Sequence, residues 1–356
     1  MTQKIYGRVD KRLTAVRIHL SIARTQIMRL LIAYPHAATW SWSSPINATI
    51  CGFSVDGITA ALSEDTEVLV TDAMPGAEVS APGLKWIHLM SAGYNQAIGH
   101  PLALRPGVRV SNAAGLCAGH MAEFAVGQML RHVKRFDDFS AKHHLHEWPD
   151  RTKMATPSLR GRRAVIVGYG GVGRETARLF TSLGVLVDVV QRGTERASYG
   201  GYLPFPGMGD PEGMLPRRIF TLDNIDMALA DADFVILTVP LTPRTRHLIN
   251  QRSLAAMKPG AVLINMARGG LVEMGALEQA LKSRHLNHAY LDVFETEPLP
   301  TESAIWEIPH LTITPHMSGV IPGAAELQED LLKHNLNRYR NGEPLLNEIE
   351  REKLEA

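Results

Sequence analysis

Residues 162–180 read RRAVIVGYGGVGRETARLF, and this stretch decides the fold. Ala164 to Val167 form a continuous apolar run of the kind that fills a strand buried on both faces. Glycines follow at 168, 170 and 173, and then Val172, Thr176, Leu179, Phe180 and Leu183 recur at helical spacing. Strand, G-x-G-x-x-G turn and helix in that order make the phosphate-binding start of a doubly wound α/β domain. Gly168 permits the tight turn, Gly170 lets backbone approach a pyrophosphate and Gly173 allows close helix packing. The amino end of the helix favours the phosphate charge.

Outward from the turn, strand-like runs recur at Val185, Phe234, Ala261, Ala289 and Leu311, which with Ala164 gives the six of a dinucleotide-binding sheet. Three of these runs, AVLIN (261–265), HAYLD (288–292) and LTIT (311–314), are followed by Arg268, Glu297 and His316. Ligands of open α/β sheets bind beyond the carboxyl ends of the strands, so these three residues can converge on one crevice. A guanidinium, a carboxylate and an imidazole together make an acid/base site with its own anion clamp. Singly, each is better explained as an exposed polar residue.

The end of the second strand bears on the cofactor. An acid about 20 residues past the glycines marks an NAD site by accepting from the ribose 2′-hydroxyl. Here GVLVDVVQRG places Gln191 there, with Arg192 next and Arg196 close by, while Asp188 lies inside the strand. An arginine forms charge-assisted bonds with a 2′-phosphate that a carboxylate would repel. NADP is therefore expected in preference to NAD.

The segments GYGGVG, LTVPLTPRTRHLIN, LINMARGGLVEMGALEQALKS, AYLDVFETEPLP and TPHMSG closely resemble the D-isomer-specific 2-hydroxyacid dehydrogenases. KWIHLMSAGYNQ, VSNAAG and HMAEFAVGQML extend the resemblance over nearly all the chain from Met28. The resemblance implies two Rossmann-like or flavodoxin-like α/β domains with the active site in the cleft between them. It implies that His316 is the acid, Glu297 its partner raising the imidazole pKa, and Arg268 the binder of substrate carboxylate and carbonyl oxygen. Backbone amides of Ala92 and Gly93 would also hold the carboxylate. Gly171, Val172, Pro240, Met266, Ala267 and Ser318 would line the cofactor, and Asp292 would reach the nicotinamide carboxamide or simply cap its strand. The implied activity is reduction of a small 2-oxo acid such as glyoxylate or hydroxypyruvate by a homodimer.

Other readings within reach are a phosphoglycerate-type dehydrogenase, which too few residues after His316 to form a regulatory domain disfavours, and a dinucleotide-sensing corepressor. A formate dehydrogenase would lack the carboxylate at Glu297. Selectivity among substrates is expected near Tyr94 and Trp306.

A length of 356 residues with 45% hydrophobic and 21% charged supports two cores, and a net charge of +1 gives no reason to expect nucleic acid or membrane partners. No apolar run approaches the roughly 18 residues that span a bilayer. Two cysteines, Cys51 and Cys117, suggest no disulfide framework, and a cytoplasmic protein fits. His143, His144 and His146 lack other ligands at metal spacing, so no metal is expected.

The expected division is a substrate domain of residues 28–117 and 318–356 and a dinucleotide domain of 118–317. A basic extension, 1–27, lies outside the fold. One long helix from Ala118 to Phe136 crosses between domains, and a Gly/Pro-rich insertion, 193–221, either covers the cofactor or is a passive loop.

Overall fold

The computed structural model describes residues 16–19, 28–41, 46–52 and 54–355. Contacts divide it into two compact units, one formed by residues up to Ala114 and from Gly323 on, the other by Gly115–Pro322.

Among the described residues the first unit carries six strands: β1 (Val16–His19), β2 (Met28–Ile32), β3 (Ile46–Ile50), β4 (Val68–Thr71), β5 (Trp86–Leu89) and β6 (Arg109–Asn112). Their order is β1-β3-β2-β4-β5-β6, parallel except for β1. Without β1 this is the flavodoxin order. Alternate residues face opposite sides, as the two-residue period of a strand requires. Leu31, Leu69, Ile87 and Val110 meet Ile58 of helix α1 (Val55–Ala61), whereas Leu30, Ile32, Val68, Val70 and Trp86 meet Leu332 and Leu336 from the carboxyl-terminal helix.

Val16–His19 corrects the expectation that residues 1–27 lie outside the fold, because it pairs antiparallel with β3 at the sheet edge. An edge strand needs neighbours on one side only, so its mixed sequence VRIH carries no continuous apolar signal. The rest of 1–27 lies outside the described residues.

In the second unit α2 (Ala118–Val133) ends at a left-handed Arg135 (φ 56°), and α3 (Phe136–His144) starts anew. The expected helix through Phe136 is therefore two helices. Ala125, Met129 and Val133 are buried, but Phe136 is exposed. Seven strands follow instead of six: β7 (Arg163–Val167), β8 (Leu186–Val190), β9 (Ile219–Phe220), β10 (Phe234–Leu237), β11 (Ala261–Asn265), β12 (Leu286–Leu291) and β13 (Leu311–Ile313). A two-residue strand such as β9 is too short to register as a periodic run.

The order β13-β12-β11-β10-β7-β8-β9 contains the 3-2-1-4-5-6 arrangement, with its switch point between β7 and β10. Helices α4 (Gly171–Ser182), α5 (Ile225–Leu229), α6 (Gln251–Ala256) and α7 (Met274–Lys282) clothe it, and α8 (Ala324–Arg340) belongs to the first unit. Ala164, Ile166, Phe234 and Ile236 pack on Met129, Ala177 and Phe180 of α2 and α4. Val165, Val167, Val235 and Leu237 pack on Leu229, Leu254 and Leu277 of α5, α6 and α7. Both faces are thus covered, which is why residues 164–167 and Phe234–Leu237 are apolar at every position.

In the first unit Ser111 Oγ accepts from Trp86 Nε1 (2.9 Å) and lies 2.8 Å from His88 Nδ1, while buried His88 Nε2 has no partner among the described residues. Burial pushes the His88 pKa down to about 3. The unfolded chain, whose histidine titrates near the ordinary 6.5, takes up the proton first. Stability contributed by the neutral ring is therefore lost as pH falls from 6.5 toward about 3. A His88→Asn variant is expected to show a smaller drop in urea-unfolding midpoint between neutral and acid pH than the parent protein.

Candidate active site

Parallel neighbours β11, β12 and β13 are in register at Asn265, Leu291 and Ile313. Strands lie about 4.8 Å apart, so residues leaving the three carboxyl ends emerge within about 10 Å of one another. The backbone stitches these exits together: Asp292 N–H donates to Asn265 O, Thr314 N–H to Leu291 O and His316 N–H to Asp292 O (2.8 Å).

Asp292, fully buried, organises the last turn. Its Oδ1 accepts from Thr314 Oγ1 (2.5 Å) and Met317 N–H (2.9 Å), and its Oδ2 from Ser318 N–H (2.9 Å). Two backbone amides and a hydroxyl thus compensate a carboxylate that burial alone would penalise. The turn holds His316 at φ 56°, a left-handed conformation uncommon outside glycine though histidine is among the residues that tolerate it. His316 is half-exposed and its Nδ1 lies 2.7 Å from Glu297 Oε2. Glu297 is fixed in turn because its Oε1 accepts from Phe294 N–H at 2.8 Å.

Arg268 sits one strand over. Asn265, buried at the end of β11, donates from Nδ2 to Arg268 O and accepts Ala267 N–H, which sets the loop's path. The guanidinium donates from Nη1 to Ala267 O (2.6 Å), one of its five donors. The next residue explains why the loop is ARGG: a Cβ on Gly269 would lie 2.0 Å from Phe294 C and 2.3 Å from Glu295 N. Backbone on either side of Arg268 and Glu297 is therefore in direct contact.

At the glycine turn, Gly168 has φ 103°, and a Cβ there would meet Val239 N at 2.8 Å. Thr238, at the end of β10, fixes the turn by donating Oγ1 to Gly168 O (2.8 Å). A Cβ on Gly173 would meet Gly168 O at 2.1 Å, so helix and turn pack as closely as glycine allows. Gly170 differs: nothing lies within 4 Å of its Cβ position, and as N-cap of α4 it brings no side chain of its own to the helix end. An open glycine backbone at a helix amino end fits the pyrophosphate of a dinucleotide. Gly171 and Val172 open the first turn. Pro240 is exposed after β10, and Met266, Ala267 and Ser318 are buried beside the strand ends.

Gln191 ends β8 with its Nε2 donating to Gly193 O and Glu195 O, and exposed Arg192 follows. Asp188 is buried and paired with Arg218 (2.7 Å), so the nearest strand acid is occupied. Arg196 donates to Gly213 O and Pro216 O (both 2.8 Å), which binds it into the insertion.

Ala92 and Gly93 belong to the other unit, where their carbonyls accept from Asn112 Nδ2 (2.7 Å) and Ser91 Oγ (2.9 Å). Tyr94 packs on the first unit's core, and half-exposed Trp306 donates Nε1 to Pro300 O (2.8 Å). Asn265, Thr238 and Thr314 escaped the sequence reading. A buried polar residue at a strand end, as each of these is or nearly is, was the signal available.

Different glycines should respond differently to an added methyl. Gly269→Ala and Gly173→Ala are expected to destabilise by about 1–3 kcal/mol through overpacking. Gly170→Ala should stay within about 0.5 kcal/mol of the parent, as an unobstructed site does, yet lose dinucleotide affinity. Urea unfolding and titration of reduced dinucleotide fluorescence measure the two quantities.

The NAD-binding-domain model of the D-isomer specific 2-hydroxyacid dehydrogenases matches residues 126–318, more than half the chain. A glyoxylate reductase from Thermofilum pendens is 32% identical over 280 residues, covering 77% of this chain and 78% of that one. A D-3-phosphoglycerate dehydrogenase from Methanocaldococcus jannaschii is 30% identical over 68% of this chain but only 43% of its own length. Among solved structures, an NADPH-dependent glyoxylate/hydroxypyruvate reductase from Sinorhizobium meliloti shares the fold, with TM-score 0.72 and 22% identity over 92% of this chain and all of that one. The matching domain model and a relative 32% identical over more than three quarters of both chains place the chain among the D-isomer-specific 2-hydroxyacid dehydrogenases, NAD(P)-dependent oxidoreductases of 2-hydroxy acids.

Proposed function

We propose that the chain reduces small 2-oxo acids of the glyoxylate or hydroxypyruvate type, with NADP(H) preferred over NAD(H), and that Arg268, Glu297 and His316 carry the chemistry. The observation that bears most weight is the 2.7 Å contact of His316 Nδ1 with Glu297 Oε2 on the strand end next to that of Arg268. With Nδ1 held by the carboxylate, Nε2 is the nitrogen left to give a proton to the substrate's carbonyl oxygen. Glu297 fixes the tautomer and balances the charge on the ring. Arg268 grips the substrate carboxylate bidentately and polarises the carbonyl, a geometry lysine cannot reproduce. Bound at the glycine turn, the reduced nicotinamide cofactor supplies the hydride. Gly168, Gly170, Gly171, Val172 and Gly173 hold its phosphates, and Pro240, Met266, Ala267, Asp292 and Ser318 lie along its course. Three of about four acceptor positions on Asp292 are already filled, so it offers the cofactor at most one. Ala92 and Gly93 contribute amides to the substrate carboxylate.

The cofactor preference is supported by Gln191 in place of an acid and by the engagement of Asp188 with Arg218. Arg192 is the residue for the 2′-phosphate, since both terminal nitrogens of Arg196 serve the loop. The name of the Thermofilum pendens relative supports the substrate class. Steady-state assay of a 2-oxo acid panel with NADPH and NADH tests the reading. The highest kcat/KM is expected for two- and three-carbon acids with NADPH. His316→Ala should lower kcat by about 10²–10⁴-fold, as loss of a general acid does, and Glu297→Gln by less. Turnover no greater than that of the His316→Ala control would sink the enzymatic assignment, and a clear NADH preference would sink the cofactor part alone.

The active form is a homodimer joined through the second unit. Support comes from α3 and the residues after it, where Phe136, Phe139, Leu145 and Trp148 are 54%, 38%, 64% and 93% exposed and no residue of the helix is buried. Four large apolar side chains so exposed within residues 136–148 are more than a lone chain commonly leaves uncovered in one segment. Light scattering should give twice the chain mass, and Trp148→Glu should shift it toward the monomer. No helix among the described residues is long and apolar enough to cross a membrane, and Cys51 and Cys117 are unpaired thiols, consistent with a cytoplasmic location.

A further inference from the structure

The 193–221 insertion is built onto the first turn of α4. Arg174, 4% exposed, is its hub: Nε donates to Tyr169 O (3.1 Å), Nη1 to Asp210 O (2.5 Å) and Nη2 to Ala197 O (2.7 Å). Its guanidinium also lies over the rings of Tyr169 (4.7 Å) and Tyr199 (5.4 Å). Asp210 accepts from Tyr169 Oη (2.6 Å) and from the amides of Met214 and Leu215 (2.9 Å each), and Glu175 accepts Gly209 N–H (2.6 Å). Tyr202 and Met208 are buried, and Tyr199 N–H donates to Pro211 O (2.8 Å). Tyr169, Arg174 and Glu175 all belong to the glycine turn or the helix it opens, so loop and phosphate turn form one polar network.

This network delivers the Tyr199 hydroxyl to the amino end of α4. It faces the backbone N–H of Gly171, the first residue of the helix. It also lies 2.8 Å from where a Gly171 Cβ would be, with Gly115 Cα at 2.9 Å from the same point. Helix amino ends present unsatisfied N–H groups that attract anions, and α4 has no side-chain cap of its own. The oxygen found there is a neutral phenol supplied by the insertion.

We propose that Tyr199 is an internal competitor for the pyrophosphate subsite: its hydroxyl occupies the place of a phosphate oxygen on Gly171 N–H, and a dinucleotide must displace it to bind. The single proton of Gly171 N–H cannot serve both oxygens well, and phenol and phosphate cannot share the place, so each molecule of cofactor gives up part of its binding energy to displace the phenol. The loop thereby sets how tightly cofactor is held without touching substrate. Gly171 follows from the same contact, since any side chain there would collide with the phenol.

The inference rests on dinucleotide binding by this unit, and binding rather than turnover tests it. NADPH and NADH are titrated by fluorescence into the full-length protein and into Tyr199→Phe, and adenosine 2′-monophosphate, which has no pyrophosphate, is titrated calorimetrically. Removing the hydroxyl should tighten the preferred dinucleotide by roughly three- to tenfold, the worth of one hydrogen bond, and leave adenosine 2′-monophosphate unchanged. Unchanged or weaker dinucleotide binding by Tyr199→Phe overturns the proposal, as does equal tightening of the monophosphate, which would place the effect outside the pyrophosphate subsite. Tyr199→Ala, compared with the parent by thermal unfolding, should tighten the dinucleotide as well, and a loss of affinity in a folded Tyr199→Ala protein would also count against it. Failure of the parent protein to bind either dinucleotide would instead defeat the cofactor assignment.

Discussion

A single buried carboxylate holds the proposed reactive end of this molecule in shape. Asp292 directly follows β12 and gathers Thr314, Met317 and Ser318 around its two oxygens, bending the chain after β13 so that His316 adopts a left-handed backbone and its ring meets Glu297. A strained residue persists only where its surroundings overdetermine it. Here the bond from His316 N–H to Asp292 O and the Glu297 contact complete that set. Glu297 depends on Phe294 N–H, and Phe294 backbone presses against Gly269 beside Arg268. The three polar residues are thus one mechanical assembly, though they come from three strands.

Much of this was legible in the sequence because the signals were chemical as well as periodic. Runs such as AVLIN are apolar up to their last residue, since helices cover both faces of their sheet, and that run marks the strand. The glycine turn could be read because Gly168 and Gly173 each answer a specific steric demand. Positions just past strand ends then located Arg268, Glu297 and His316.

What escaped reading lacked such signals. β1 lies at an edge and β9 has two residues, so neither leaves a periodic trace. The break between α2 and α3 depends on Arg135 taking a left-handed conformation, which no glycine or proline announces. Arg196 looked like a candidate for a 2′-phosphate, yet its partners are carbonyls twenty or so residues onward, visible only once the insertion is folded. Asn265 acts through a side chain aimed at its own loop, a role that composition does not encode.

The contact between Gly171 and Tyr199 has an evolutionary consequence. A Cβ at position 171 would lie 2.8 Å from the Tyr199 hydroxyl of the inserted segment and 2.9 Å from Gly115 Cα, so the insertion is one of two neighbours that exclude a side chain there. A lineage that carried a larger residue at 171 would have to move both the loop and the backbone at Gly115 aside, so the insertion narrows what this position can become without being the sole reason for its glycine.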